Sequence, residues 1–274
     1  MSAVAVITRK EVRDAMGSRW LFIYAGLFTI LALGLSYVGH RNLGDLGFES
    51  FSRTTASLLN LCLLLAPLIA LSLGAGAIAG ERERGSLAYL LAQPLERWEL
   101  VLGKFAGLFV SIAVATVAGF GLAGMVIAFY ASTMDVTTYV LLLLLVLSLI
   151  AVMTGLGLLV SVVSQTRVQA LGLALVVWFA AVLFFDLVLI SVVSSSSLGG
   201  GGLLVALLAN PVEIVRVLAI IHLEPDLQIL GPFGAFILDR LGQGGATAVL
   251  FAALILWVLG PLAAAVWLFN SADA

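Results

Sequence analysis

Charge is scarce in this 274-residue chain: 10% of its residues are Asp, Glu, Lys or Arg, 62% are hydrophobic, and the mean hydropathy is +1.20. Soluble domains carry roughly a quarter charged residues, so a water-soluble globule is excluded and a polytopic membrane protein is indicated. A basic excess is missing too, with 13 Lys and Arg facing 15 Asp and Glu. Nucleic-acid binding needs clustered positive charge and is excluded with it. One cysteine, Cys62, allows no internal disulfide. His40 and His222 stand alone, and Met16, Met125, Met134 and Met153 are scattered, so no spacing suits a metal site.

Nucleotide motifs are present only in form. Gly119, Gly121 and Gly124 spell GxGxxG, but inside an apolar helical run with no strand before it. Glycines there serve close helix packing, as do Gly103 and Gly107. Lys104 follows Gly103, yet Trp98 occupies the place of the first P-loop glycine and Phe105 that of the Ser or Thr. Any ATP must bind elsewhere. Glu224 and Asp226 form one isolated acidic pair, and no nucleophile, base and orienting partner can be assembled, which leaves an intramembrane enzyme without support.

Six apolar stretches have the length, about 20 residues, that crosses a bilayer: about 20–39, 57–79, 105–131, 139–163, 168–193 and 246–269. Open strands cannot survive in lipid, so the expected fold is an all-α bundle of six transmembrane helices in a single domain, 1–274. A cytoplasmic N-terminus places nine Lys and Arg inside and four outside, and an even span count returns the C-terminus to the cytoplasm. The first stretch is longer than a signal segment and reads as a retained span. Before it, Ala5, Thr8, Val12, Ala15 and Met16 share one arc, as in an interfacial helix. Asp186, near the outer end of the fifth span, reads as a structural carboxylate rather than a functional one.

The outer segment 194–245 opens on SSSSLGGGG, a flexible linker by composition. In NPVEIVRVLAIIHL that follows, Asn210 suits a cap, Pro211 the first helical position and Glu213 a capping box. Ile214, Val215, Val217, Leu218 and Ile221 share one arc with Glu213 and Arg216 opposite, which predicts an amphipathic helix whose two charges face an extracytoplasmic partner.

The charge the chain does have is concentrated. GERERGSLAYLLAQPLERWELVLGK, residues 80–104, holds Glu81, Arg82, Glu83, Arg84, Glu96, Arg97, Glu99 and Lys104. Leu87, Leu90 and Leu91 have the spacing of one helix face, with Glu81 to Arg84 expected to stay wet. Equal signs disfavour simple anchoring to anionic lipid. A mixed-charge protein interface and a solvated loop with internal ion pairs both fit.

The order of this stretch, a glutamate-rich entry, Gly-Ser-Leu, Leu-Leu, Gln-Pro-Leu, Arg and Leu-Gly-Lys before a new span, resembles the first cytoplasmic loop of type-2 ABC exporter permeases. The resemblance implies two six-span permease copies paired with two cytosolic ATPases, which hold ATP and Mg, in a bacterial or archaeal cytoplasmic membrane. It implies that Glu81, Arg82, Glu83, Arg84, Leu87, Leu90 and Leu91 form the coupling helix contact with the ATPase. WFAAVLFFDLVLI, NPVEIVRVL and LGPFGAF further resemble the NosY-like permeases of nitrous oxide reductase maturation. That subgroup serves a copper-sulfur centre, and the chain has no Met, His or Cys cluster to conduct copper. A non-transporting membrane scaffold is the alternative class.

Overall fold

The computed structural model describes residues 2–41, 47–130, 135–185, 187, 200–223 and 231–271, and these are helical almost throughout, with no strand among them. In chain order the helices are α1 (Ala3–Met16), α2 (Arg19–Arg41), α3 (Gly47–Glu83), α4 (Ser86–Leu91), α5 (Arg97–Tyr130), α6 (Val136–Val163), α7 (Arg167–Phe179), α8 (Gly200–Leu208), α9 (Pro211–Leu223) and α10 (Gly231–Ser271). A π-helical turn, Ala180–Phe184, continues α7. Asp186 and the Glu224 and Asp226 pair lie outside the described residues.

Five helical stretches are individually long and apolar enough to cross a bilayer: Thr55–Glu83, Arg97–Phe129, Val136–Val163, Arg167–Phe184 and Gly242–Ser271. These cover five of the six expected spans. The remaining one, 20–39, falls in α2, which meets the same test only together with α1 across a 66° bend. A second bent pair, α8 with α9 at 114°, brings the count to as many as seven. The chain is a multi-pass, all-helical membrane protein.

Helix α6 is central, touching α3, α5, α7, α9 and α10. Its start is set by Asp135, whose Oδ1 accepts the amides of Thr137 at 3.0 Å and Thr138 at 3.2 Å. The crossing of α3 over α6 is close because both sides are glycine: a Cβ on Gly157 would lie 2.7 Å from the Leu71 carbonyl and 3.0 Å from the Gly74 Cα. Ser161 of α6 accepts the amides of Ile78 (2.9 Å) and Ala79 (2.8 Å) just beyond this contact. An aromatic ladder, Tyr24, Phe28, Phe120 and Tyr139, ties α2 to α5 and α6. Gly119 faces Phe28 and Gly124 faces Tyr139, so the GxGxxG glycines at these two positions are packing sites.

The structure corrects four expectations. The arc of α1 that packs on the bundle is Ile7, Glu11 and Ala15, not Ala5, Thr8, Val12, Ala15 and Met16, and Met16 is exposed. Hydrophobicity misled because the buried face contains a paired glutamate. The charged stretch 80–104 is largely helix, since α3 runs on to Glu83 and α5 begins at Arg97. Hydropathy marks where lipid ends, whereas helical hydrogen bonding continues into water. Gly200, Gly201 and Gly202, expected in a linker, form the first turn of α8. Finally, α9 is buried nearly all round instead of amphipathic: Glu213 is 5% exposed, and Val212 and Ala219 are buried with the apolar arc.

Candidate functional site at the charged end of the bundle

Chain segments distant in sequence converge where α3 ends and α5 begins. Helix α1 lies along α5 because Gly103 and Gly107 leave no side chain between them. A Cβ on Gly103 would lie 2.7 Å from Ile7 Cβ, and one on Gly107 would strike Glu11 Cβ. Thr8 Oγ1 donates to the Gly103 carbonyl at 3.3 Å across this seam. The close approach brings Glu11 to Lys104, and the end of α3 brings Glu81.

Lys104 is 1% exposed, and its Nζ donates to Glu11 Oε1 at 2.7 Å and meets Glu81 Oε1 at 2.9 Å. Glu81, 6% exposed, also accepts from Lys10 Nζ at 3.1 Å. Lys10 is half-exposed and lies 3.8 Å from Asp14. Burial pulls its ammonium down, but Glu81, with Glu11 and Asp14, outweighs this and raises its pKa above the usual 10.5. The two buried carboxylates, Glu11 and Glu81, thus balance the two ammonium groups, with Asp14 at the solvent edge, in one network that bolts α1, α3 and α5 together. Glu81 Oε2 is buried without a hydrogen-bond partner. The expectation that Glu81 stays wet is therefore corrected: desolvated carboxylates need cations, and Lys104 supplies one.

The other charges of the stretch also serve the chain itself. Arg82 donates to the carbonyls of Val162 (3.1 Å) and Ser164, closing the C-terminal end of α6. Arg97 does the same for α10, donating to Phe269 O at 2.9 Å and Asn270 O at 3.1 Å. Glu83 Oε2 accepts the amide of Arg167 at 2.7 Å at the start of α7. Glu99 reaches back to the Glu96 amide at 3.0 Å, one half of a capping box. Arg84 extends into solvent from the turn made by Gly85, whose φ of 71° is left-handed. The starts of α1, α5 and α7 and the ends of α3, α6 and α10 therefore share one end of the bundle.

Helix α4 presents the face opposite to the one expected. Leu87 is buried with Ile78, Leu100 and Val101, and Leu90 and Leu91 pack against the same cluster. The three leucines seat α4 on its own chain, Leu87 fully and Leu90 and Leu91 in part. What α4 turns outward is Ala88 and Tyr89, the latter 80% exposed. Of the seven expected contact residues, Glu83 and Arg84 remain exposed, Arg82 is half-buried, and Tyr89 was not anticipated. Tyr89 falls off the arc of Leu87, Leu90 and Leu91, and that offset was the available signal.

The expected outer contact is also rearranged. Arg216 Nη1 donates to Glu213 Oε1 at 2.6 Å, so the pair is mutual and Glu213 does not face outward. Asn210 caps α9 through the Val212 amide at 3.0 Å, as the sequence indicated, and its Nδ2 donates to the Ala181 carbonyl of the π-helical turn at 2.7 Å. Trp257 of α10 donates to Leu208 O at 3.0 Å, satisfying the end of α8. Among the described residues no three His, Cys, Asp or Glu gather as a metal-holding group.

Known proteins resemble this chain in sequence over most of its length. The ABC-2 family transporter protein family matches residues 5–274. A probable ABC transporter permease protein NosY of Stutzerimonas stutzeri is 37% identical over 244 residues, covering 84% of this chain and 86% of the relative. The protein of the same name from Pseudomonas aeruginosa is 39% identical over 230 residues, covering 80% and 82%. With a family match over nearly its whole length and two such relatives, the chain belongs to the ABC-2 transporter family as a NosY-like permease.

Proposed function

We propose that this permease pairs with a second copy in a bacterial or archaeal cytoplasmic membrane and is driven by separate cytosolic ATPase subunits that carry ATP and Mg. The charged end of the bundle faces the cytoplasm, and α4 is its coupling helix. The observation that carries this reading is the exposed face of Arg84 and Tyr89 on an element whose base is tied into α1, α3 and α5 by the Lys104 network. A push on α4 meets a rigid base, so it reaches the spans. Because Leu87, Leu90 and Leu91 hold α4 in place, the test belongs on the outward face. Arg84→Glu with Tyr89→Asp should abolish ATPase co-purification and permease-stimulated ATP hydrolysis while permease abundance in membranes stays unchanged. Full retention of ATPase binding by that double variant overturns the docking surface.

Pairing with a second copy is supported by α7 and its π-helical turn, the least covered span, with 17% of its residues buried. Val168, Val176 and Phe179 are exposed there beside Gly172, around which a side chain would meet nothing. Such an exposed apolar face, with a glycine at its middle, suits the approach of another helix. The NosY name of the relatives supports a link to nitrous oxide reductase, and the proposed role is in its maturation together with an extracytoplasmic partner. On this reading the partner docks on a surface other than Glu213, since that carboxylate is buried.

A further inference from the structure

An apolar groove of about 360 Å³ lies open to the side between α2, α3 and α7. Its deeper walls are Ile23 and Leu27 of α2, Leu65 of α3, and Leu171 and Leu175 of α7. Its polar members, Ser72 and Arg167, lie toward the charged end, as does Trp20 at the start of α2. All three walls therefore run from polar to apolar in the same direction, over about 10 Å at 1.5 Å per residue. That is the polarity of an amphiphile entering head last.

Arg167 is set for the head. Its amide is held by Glu83, but its guanidinium has no hydrogen-bond or ion-pair partner among the described residues. Its stem runs along a glycine face of α3: a Cβ on Gly76 would lie 3.5 Å from Nε, and one on Gly80 3.6 Å from Cδ. The Gly80 position is also 3.7 Å from Arg84 Nη1, so two exposed guanidinium groups approach one patch. Glu83 and Arg82, hydrogen-bonded to a neutral amide and to neutral carbonyls, keep their opposite charges and offset each other, so Arg84 and Arg167 leave the patch net positive. Guanidinium groups bind phosphate in fork geometry. An apolar groove facing lipid does not stay empty, because an unfilled void forfeits dispersion contacts along its lining.

We propose that this groove seats one acyl chain of an anionic phospholipid from the adjoining leaflet, with its phosphate on Arg167 at the rim. The lipid wedges α2, α3 and α7 at the level of the charged end. The test uses the full-length chain, purified in detergent, delipidated and titrated with phosphatidylglycerol or phosphatidylcholine of equal acyl length, with bound lipids counted by native mass spectrometry. The wild type should retain phosphatidylglycerol over phosphatidylcholine by about fivefold, the effect of one basic residue near a membrane surface. Arg167→Gln should bring the two lipids level, while Arg167→Lys keeps part of the preference. The elution volume and melting temperature of Arg167→Gln should match the wild type, because the guanidinium makes no hydrogen bond or ion pair among the described residues. Excess glycerol phosphate should leave the lipid in place, since the groove binds the chain as well as the head. The proposal is overturned by an unchanged preference in Arg167→Gln, by no preference in the wild type, or by displacement with glycerol phosphate. It is also overturned if Ile23→Cys, in a Cys62→Ala background, cross-links two copies in native membranes, because a second copy would then fill the groove.

Discussion

Lys104 is the residue on which the charged end depends. Removing it leaves the buried Glu11 and Glu81 to share the half-exposed Lys10, so one buried carboxylate charge goes uncompensated, a loss that costs about 3 to 5 kcal/mol. Lys104→Met should therefore lower the melting temperature of the detergent-solubilised protein sharply. Adding Glu11→Gln and Glu81→Gln removes the buried carboxylate charges and should restore most of it. If the triple variant melts as low as the single one, the network is not balanced as the contacts indicate. Asp135 offers a residue-scale test by pH. Hydrogen bonds from Thr138, first the hydroxyl and then the amide, with that of Thr137, hold its carboxyl below the usual 3.8. A depressed folded pKa contributes stability above the unfolded value, and that contribution is lost as pH falls through the folded one. Protection of the Thr137 and Thr138 amides, taken relative to the intrinsic exchange rate at each pH, should thus be full at neutral pH and fall below pH 3.8. Asp135→Ala should show the low protection at every pH.

Among the elements, α4 is positioned by its two ends. Gly85 enters it at a φ of 71° with open space around its Cα, so backbone strain alone opposes a side chain there. Gly85→Ala should cost about 1 to 2 kcal/mol, whereas Gly85→Asn should cost less, measured as the stability of the permease and as its ATPase affinity. Gly107→Leu, at the α1 seam, should release α1 and expose it to protease while the remaining helices stay protected. The spans were legible because hydrophobic length is a local property, and Asn210 and Pro211 announced α9 correctly for the same reason. The Lys104 network was not legible: Glu11 and Lys104 are 93 positions apart, and only the paired small residues Gly103 and Gly107 hinted that another helix lay close. The inward face of Leu87, Leu90 and Leu91 was misread because helical periodicity identifies a face without saying what covers it. Glu213 shows the converse, a charge that appeared solvent-facing and is instead buried against Arg216.

At the scale of the whole molecule, pairing is tested at Gly172, where a larger side chain would separate two facing copies of α7. Gly172→Leu should reduce the dimer fraction in native membranes, read by chemical cross-linking, without changing monomer abundance. Loss of the downstream function when the ATPase partner is catalytically dead would distinguish a driven permease from a passive scaffold. The sharp turn between α8 and α9 carries a further consequence, for the order in which the chain is built. Its open backbone groups are answered by Asn210 on one side and by Trp257, which the ribosome delivers 49 residues after Leu208. Until α10 has left the translocon, the Leu208 carbonyl lacks its donor. The turn therefore sets as a late step of biogenesis. Nascent chains stalled before residue 257 should leave α8 open to alkaline extraction or protease, and chains stalled beyond the end of α10 should not.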